Sequence, residues 1–232
     1  MVDITTWFGL GTVGMLLGTV GLGYATTLVP ERERRRFALL AVVPAIALVA
    51  YGLMALGFGG LETGHGTVYV PRYVDWLLTT PIHIAFIGLL VGADRSLIVR
   101  TAGLQAATIV LGFAGAVLAS PLDLVAFALG SATFGVVVWY LFRDFEAVAV
   151  ETQPDGVVDL FRKIRSFVVV LWLIYPVIWL LAPAGFGFMD IETTSLVVTY
   201  IDVVAKGGFG LIVLNDLRIM DAVAELDAAS AD

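Results

Sequence analysis

The sequence predicts an all-α membrane protein, a seven-transmembrane-helix bundle with its N-terminus outside and its C-terminus cytoplasmic. Of the 232 residues, 59% are hydrophobic and 14% charged, and mean hydropathy is +0.97, far from the composition of soluble domains. Apolar segments of spanning length, about 20 residues, recur seven times with short polar breaks between them. Basic residues collect on alternate breaks, which sets the cytoplasmic side.

The first segment, 4–28, carries the glycine-rich run GLGTVGMLLGTVGLG. Glycines inside an apolar span allow close helix contact, so this spacing reads as packing and not as a phosphate loop. No basic stretch precedes it, and its length suits a retained helix better than a cleaved leader. The second segment, 37–58, follows Arg32, Arg34, Arg35 and Arg36. The third (71–92) and fourth (96–118) are joined by a turn flanked by Arg95 and Arg100. Arg143, Arg162, Lys163 and Arg165 lie between the fifth (122–142) and the sixth (160–181), and Arg218 follows the seventh (193–217). The opposite breaks carry Asp3, Glu62, Asp123, Asp190 and Glu192. The longest of them, GGLETGHGTVYVP, predicts a small hairpin from its glycine punctuation and TVYV alternation, with His65 a solvated loop residue. Residues 1–222 form one domain, and 223–232 form a short flexible acidic tail.

Composition also excludes functions. Without cysteine there is no disulfide framework, thiolate metal site or cysteine nucleophile. A net charge of −7 excludes a broad cationic surface, so no nucleic-acid partner is expected and the basic clusters are topology signals. No nucleophile–base–orienter set and no metal cluster is visible, so neither an enzyme nor a metal site is expected. Eleven arginines against two lysines, with a surplus of acid, fit a protein made for high salt.

The chemistry centres on Lys206. Lys163 belongs to the basic cluster FRKIR, but Lys206 lies in the middle of the seventh span. An ammonium there costs about 2.5–3.5 kcal/mol on insertion scales, so the position demands a reason. Asp202, four residues earlier, shares its helical face. An acid and an amine one turn apart are either a structural ion pair or a modified lysine with its counterion. The third segment, PRYVDWLLTTPIHIAFIGLL, sets Arg72, Asp75, Thr79, His83 and Phe86 on one broad face. The sixth, VVVLWLIYPVIWLLAP, places Trp172, Tyr175, Pro176 and Trp179 at three- and four-residue spacing, with Pro176 loosening the helix. An aromatic stripe alone is ordinary packing; opposite a buried lysine and two carboxylates it reads as a cofactor wall.

These residues suit a conjugated aldehyde held on Lys206 as a Schiff base. Its formation requires a neutral amine, which a desolvated lysine readily provides. A Schiff base that stays protonated in low dielectric needs anions nearby. Asp75 and Asp202 supply them, with Arg72 balancing the double negative charge. Trp76 and Trp172 can sandwich a flat polyene, with Tyr51, Thr79, Tyr175 and Trp179 around it.

The motifs RYVDWLLTTP, WLIYPVIWLL and YIDVVAKGGFG, in this order and spacing, resemble the helix C, F and G signatures of the microbial (type 1) retinal rhodopsins. The resemblance covers essentially the whole chain. It implies all-trans retinal on Lys206 as a protonated Schiff base, in a pocket that includes Thr80 and Pro176. It also implies light-driven proton transfer to Asp75, with Asp202 the second counterion and Arg72 a gate towards the outside. Within the family, ITTWFGLGTVGMLLGTV, Phe86 and Tyr200 are similar to sensory rhodopsin II, where the position of Tyr200 meets a membrane-embedded transducer. Ala205 replaces the threonine of that subfamily and matches the pumps, a mixture similar to middle rhodopsin. Pumps carry a carboxylate where this chain has Phe86, and outer glutamates where it has Pro183-Ala184 and Thr194, with Asp190 and Glu192 nearby.

The reading is therefore a light-sensing photoreceptor of the cell membrane with a slow photocycle. The alternative is a light-driven outward proton pump. The expected partners are the bilayer, a transducer and further copies of the chain. His83 is either a neutral histidine bonded to a neighbouring helix or a residue that tunes colour or proton return. Thr108 is either a pocket wall or a helix–helix hydrogen bond.

Overall fold

In a computed structural model the backbone is described for residues 3–29 and 31–230. The side chains of 32, 33, 35, 36 and 217–230 fall outside the described residues. The chain forms α1 (Ile4–Leu28), α2 (Glu31–Ala55), β1 (Gly60–Thr63), β2 (Gly66–Tyr69), α3 (Val70–Val91), α4 (Arg95–Val117), α5 (Leu122–Phe142), α6 (Asp144–Thr152), α7 (Asp155–Leu181) and α8 (Ile191–Ser230). Seven helical stretches are long and apolar enough to cross a membrane. Their outward faces are studded with exposed Leu, Val and Phe, as a lipid-facing surface requires.

The helices pack as a closed ring. α1 lies against α2 and α8, α2 against α3, α3 against α4 and α7, α4 against α5, and α7 against α8. One close approach depends on glycine: a side-chain carbon at Gly11 would strike the Tyr51 ring, so α1 can seat that ring only as it stands. A large apolar cluster fills the α6 end of the bundle, built from Phe86, Phe145, Phe161, Trp172 and Phe209 among others. A smaller one, around Phe8, Met15, Tyr51 and Met54, lies between α1 and α2.

Helix ends follow local chemistry. Asp3 caps α1 and Asp94 caps α4 through backbone N–H groups two and three residues on. Hydrogen bonds from Thr5 hold the Asp3 carboxyl below the usual carboxylate range. Gly92 ends α3 in the left-handed conformation at φ 74°. Several expected boundaries shift. The second helix starts at Glu31 and ends at Ala55, ahead of the expected 58. The fifth span continues past Arg143 into α6, giving a 31-residue stretch, Leu122–Thr152. The sixth begins at Asp155, well before 160. Polar residues at the inner ends lengthen helices beyond their apolar cores, because water can solvate them there. The seventh helix runs past 217; Arg218 and the acidic run 223–232 have side chains outside the described residues.

The expected hairpin forms, with Gly60 opposite Tyr69 and Thr63 opposite Gly66. His65 is not the solvated residue expected of it. Its Nε2 lies 3.1 Å from the Leu118 carbonyl and 3.4 Å from Asp123 Oδ2, which pins the hairpin to the α4–α5 corner.

Candidate functional site

Lys206 is buried midway along α8, and its Nζ lies 3.0 Å from Asp75 Oδ2 and 3.5 Å from Asp202 Oδ1. Here Nζ stands in the place of the nitrogen that a covalent adduct would carry. Both carboxylates are fully buried, and an unpaired charge at such depth would be prohibitive. Asp202 is the more heavily bonded. Tyr51 Oη donates to Oδ2 at 2.7 Å, Trp76 Nε1 donates to Oδ1 at 3.0 Å, and the Tyr175 hydroxyl donates to Oδ1. Asp75 accepts only from Thr79 Oγ1, at 3.2 Å to Oδ1, while that hydroxyl also bonds the Asp75 carbonyl at 2.8 Å. Asp75 Oδ2 is near the amine but has no aligned hydrogen bond, so it keeps a free lone pair.

A cavity of about 210 Å³ opens beside the amine. A dry cavity of roughly 150 Å³ holds a benzene ring, so this one admits a longer apolar group. Trp76, Thr79, Thr80 and His83 line it from α3, and Trp172, Tyr175, Pro176 and Trp179 from α7. Thr108 of α4 lines it too, while its hydroxyl also bonds Thr133 Oγ1 of α5 at 2.9 Å. Tyr51 sits behind Asp202, outside the cavity wall. His83 is buried with its ring 4.5 Å from Phe209 and 6.1 Å from Trp172, and its Nδ1 has no partner. Phe86 is buried edge-on to Phe209 at 5.6 Å.

Arg72 stands apart from the two carboxylates. Its guanidinium lies 5.4 Å from the Phe8 ring and 6.0 Å from the Tyr69 ring, and it pairs with no carboxylate among the described residues. Ala205 lies in the cavity wall, and the Tyr175 hydroxyl donates to Asp202. Thr194, Pro183 and Ala184 line the hairpin end of the cavity. Asp190 caps α8 by accepting from the Thr193 N–H at 2.7 Å. Tyr200 projects from α8 into the lipid-facing surface, 70% exposed.

Several neighbours were not singled out in the sequence. Gln105 of α4 donates to Thr80 Oγ1 at 3.2 Å, and its Oε1 is buried without a partner. Its signal was available: it is the one amide in an otherwise apolar span. Phe127 stacks on Trp179 at 4.2 Å, and Tyr73 meets Trp76 edge-on at 5.3 Å. At the α6 end, basic residues expected only to mark topology are paired. Glu146 binds Arg162 at 2.6 Å and also binds Arg165, and Lys163 binds Asp216 at 2.6 Å. No group of three residues able to hold a metal occurs among the described residues.

The fold and site define a multi-pass membrane protein built around a buried lysine, two counter-charged carboxylates and an aromatic-walled cavity. The family model described as Bacteriorhodopsin-like protein matches residues 3–220, and the chain belongs to that family. It is 56% identical over 214 residues to "Sensory rhodopsin-2" of Haloarcula vallismortis, covering 92% of this chain and 91% of that one. It is 38% identical to "Sensory rhodopsin-2" of Natronomonas pharaonis, covering 93% and 90%. Among solved structures, the cyanorhodopsin of the cyanobacterium Calothrix superposes with a TM-score of 0.88 at 28% identity, covering 93% of this chain and 96% of that one.

Proposed function

We propose that this protein is a light-sensing photoreceptor of the sensory rhodopsin type that holds all-trans retinal covalently on Lys206. The observation that carries the reading is the Lys206 amine, buried between Asp75 and Asp202 at the head of an aromatic-walled cavity. The high identity to sensory rhodopsins over nearly the whole chain supports sensing over pumping. When bound, retinal supplies visible-light absorption and an isomerisation that lowers the proton affinity of the nitrogen it shares with Lys206.

The chain's own residues then manage one proton. Asp75 Oδ2 is the acceptor, because it is nearest to Nζ and has a free lone pair. Thr79 orients that carboxyl. Asp202 serves as the second counterion, its oxygens held in place by three donors. Arg72 gates the hairpin side. Trp76, Thr80, His83, Thr108, Trp172, Tyr175, Pro176 and Trp179 form the wall that fixes the chromophore, and Tyr51 braces Asp202 from behind. Phe86 offers no proton from the opposite side, so the resting state returns slowly. Slow return accumulates a long-lived state, which suits signalling.

In this reading the α6 end is cytoplasmic and residues 1–222 are the retinal-binding domain, with 223–232 a flexible acidic tail. Tyr200 faces a membrane-embedded transducer, and the protein works as a homo-oligomer without enzymatic activity. An outward proton pump is the second reading; Asp75, Asp202, Arg72 and Ala205 favour it and Phe86 opposes it. The test is reconstitution with all-trans retinal, then flash recovery and light-induced pH change in vesicles. Visible pigment, lost in Lys206→Ala, with slow recovery and little proton flux is expected. Sustained acidification of the medium with millisecond recovery would establish the pump instead.

A further inference from the structure

The cavity has one ionisable side chain on the α6 side of the Lys206 amine, and neither the counterions nor the pocket wall requires it to titrate. Asp75 and Asp202 both lie one turn towards the hairpin end of Thr79 and Lys206 respectively. In the other direction α3 brings His83 one turn beyond Thr79, a rise of about 6 Å. Among the described residues the next buried ionisable group that way is Arg165, already held by Glu146. His83 is 4% exposed, lines the same cavity as Lys206, and leaves Nδ1 without a hydrogen-bond partner. It is one of several buried polar atoms without a partner among the described residues, and of these it alone belongs to a ring that can accept one proton while donating another.

Its ring neighbours are aromatic. α7 presents Trp172 and α8 presents Phe209, while the Phe86 ring lies edge-on to Phe209 directly beyond. The charged groups nearest along these elements are Lys206 on α8 and Asp75 on α3. The ring therefore stands between an aromatic seal and the amine, with two nitrogens of which one can accept while the other donates.

We propose that His83 relays the proton that returns to the Lys206 nitrogen from the α6 side; this deepens the retinal reading and rests on it. Water admitted when the Phe86–Phe209 contact opens gives a proton to the accepting nitrogen of the neutral ring, forming an imidazolium. The imidazolium releases the proton on its other nitrogen towards Lys206. The ring is left neutral in the opposite tautomer, and a further exchange with water resets it. One proton moves from solvent to the Lys206 nitrogen, and His83 is unchanged over the cycle. The relay gives this chain a route that Phe86 cannot supply.

The test uses the full retinal-loaded protein. The chain has two histidines, so in His65→Gln labelled with 15N-histidine the single ring signal is that of His83. Time-resolved infrared spectroscopy should show imidazolium bands, shifted by the label, that rise before reprotonation and vanish with it. His83→Leu is read on the return step alone, timed from the deprotonated state of the pigment it forms. It should then recover about a hundredfold more slowly, the lower end of what a positioned acid–base group contributes. Azide, a small permeant proton carrier, should restore the rate. A ring that stays neutral throughout, or unchanged recovery in His83→Leu, overturns the relay. If His83→Leu fails to fold, the infrared result on the histidine-bearing protein decides alone. Failure of the parent protein to form pigment would remove the retinal reading and the relay together, and is seen before any His83 measurement.

Discussion

Lys206 stands closer to Asp75 across the helix interface, at 3.0 Å, than to Asp202 on its own helix, at 3.5 Å. The two carboxylates share a cation but differ in everything else. Asp202 is fixed by two phenols and an indole from α2, α7 and α3, so it ties four helices together, its own α8 included. Asp75 has one hydroxyl and a free lone pair. Structural anchoring and proton acceptance are thus divided between them.

The first prediction follows from that division. Hydrogen bonds to a charged acceptor contribute about 1.5–3 kcal/mol each, so weakening three at once should cost more than weakening one. Asp202→Asn is expected to destabilise the protein more than Asp75→Asn, by about 2 kcal/mol in thermal or denaturant unfolding of the retinal-free protein. Light-driven deprotonation of the Lys206 nitrogen should be lost in Asp75→Asn. The reverse order of stabilities would show that Asp202 is no anchor.

The second concerns the hairpin. His65 reaches Asp123 and the Leu118 carbonyl from more than fifty residues away. The half-buried pair should contribute only about 0.5–1 kcal/mol after solvent screening. A double-mutant cycle with His65→Ala and Asp123→Asn should return a coupling of that size, declining in high salt. Strict additivity would mean that the contact does not hold the hairpin in solution.

The helical bundle was legible in the sequence because the bilayer imposes a length on every apolar run, and α1 was placed at its true limits. The buried lysine and the two carboxylates beside it were legible because a charge in an apolar span has few explanations. Periodicity assigns a residue to a face but cannot say what faces it across an interface. Hence Asp75, Thr79 and His83 share a buried face of α3 as their spacing says, whereas the seating of Arg72 over Phe8 and Tyr69, without an ion pair to either carboxylate, cannot be read from spacing. The contact of His65 with Asp123 was hidden for the same reason. Gln105 was overlooked although its amide stands out, and α6 was taken for a loop because its polar residues interrupt hydropathy without interrupting the helix.

The third prediction is a pH dependence. Asp190 accepts from the Thr193 N–H at the start of α8, and that bond holds its carboxyl below the usual carboxylate range. A carboxyl whose folded value is lowered stabilises the fold at pH above its unfolded value. That contribution is lost as pH falls through the folded value. Acidification should therefore destabilise the original protein more than Asp190→Asn, most visibly as opening of the α7–α8 end. Hydrogen exchange of the first turn of α8, followed from neutral to acid pH, checks this. Parallel acid profiles for the two proteins would rule the cap out as the cause.

The fourth concerns the opposite end, where α5 passes through Arg143 into α6 and carries Glu146 back against α7. Glu146 bridges Arg162, which is largely exposed, and Arg165, whose guanidinium is buried 4.0 Å from the Phe142 ring and 5.0 Å from the Phe161 ring. The two pairs should not weigh equally, since water screens the first and aromatic carbon surrounds the second. Removing the carboxylate strands Arg165 in an apolar site. Glu146→Gln should then cost about 3 kcal/mol, the low end for a buried ion pair that loses one partner. Arg162→Gln should cost less than about 1 kcal/mol. Replacing both partners, as in Glu146→Gln with Arg165→Met, should recover most of the loss, because the methionine fits between the rings and no buried charge is left unpaired. Unfolding of the three variants side by side measures this. If the double variant is no more stable than Glu146→Gln alone, Arg165 holds α6 through its stacking on the two phenylalanines and the ion pair is incidental.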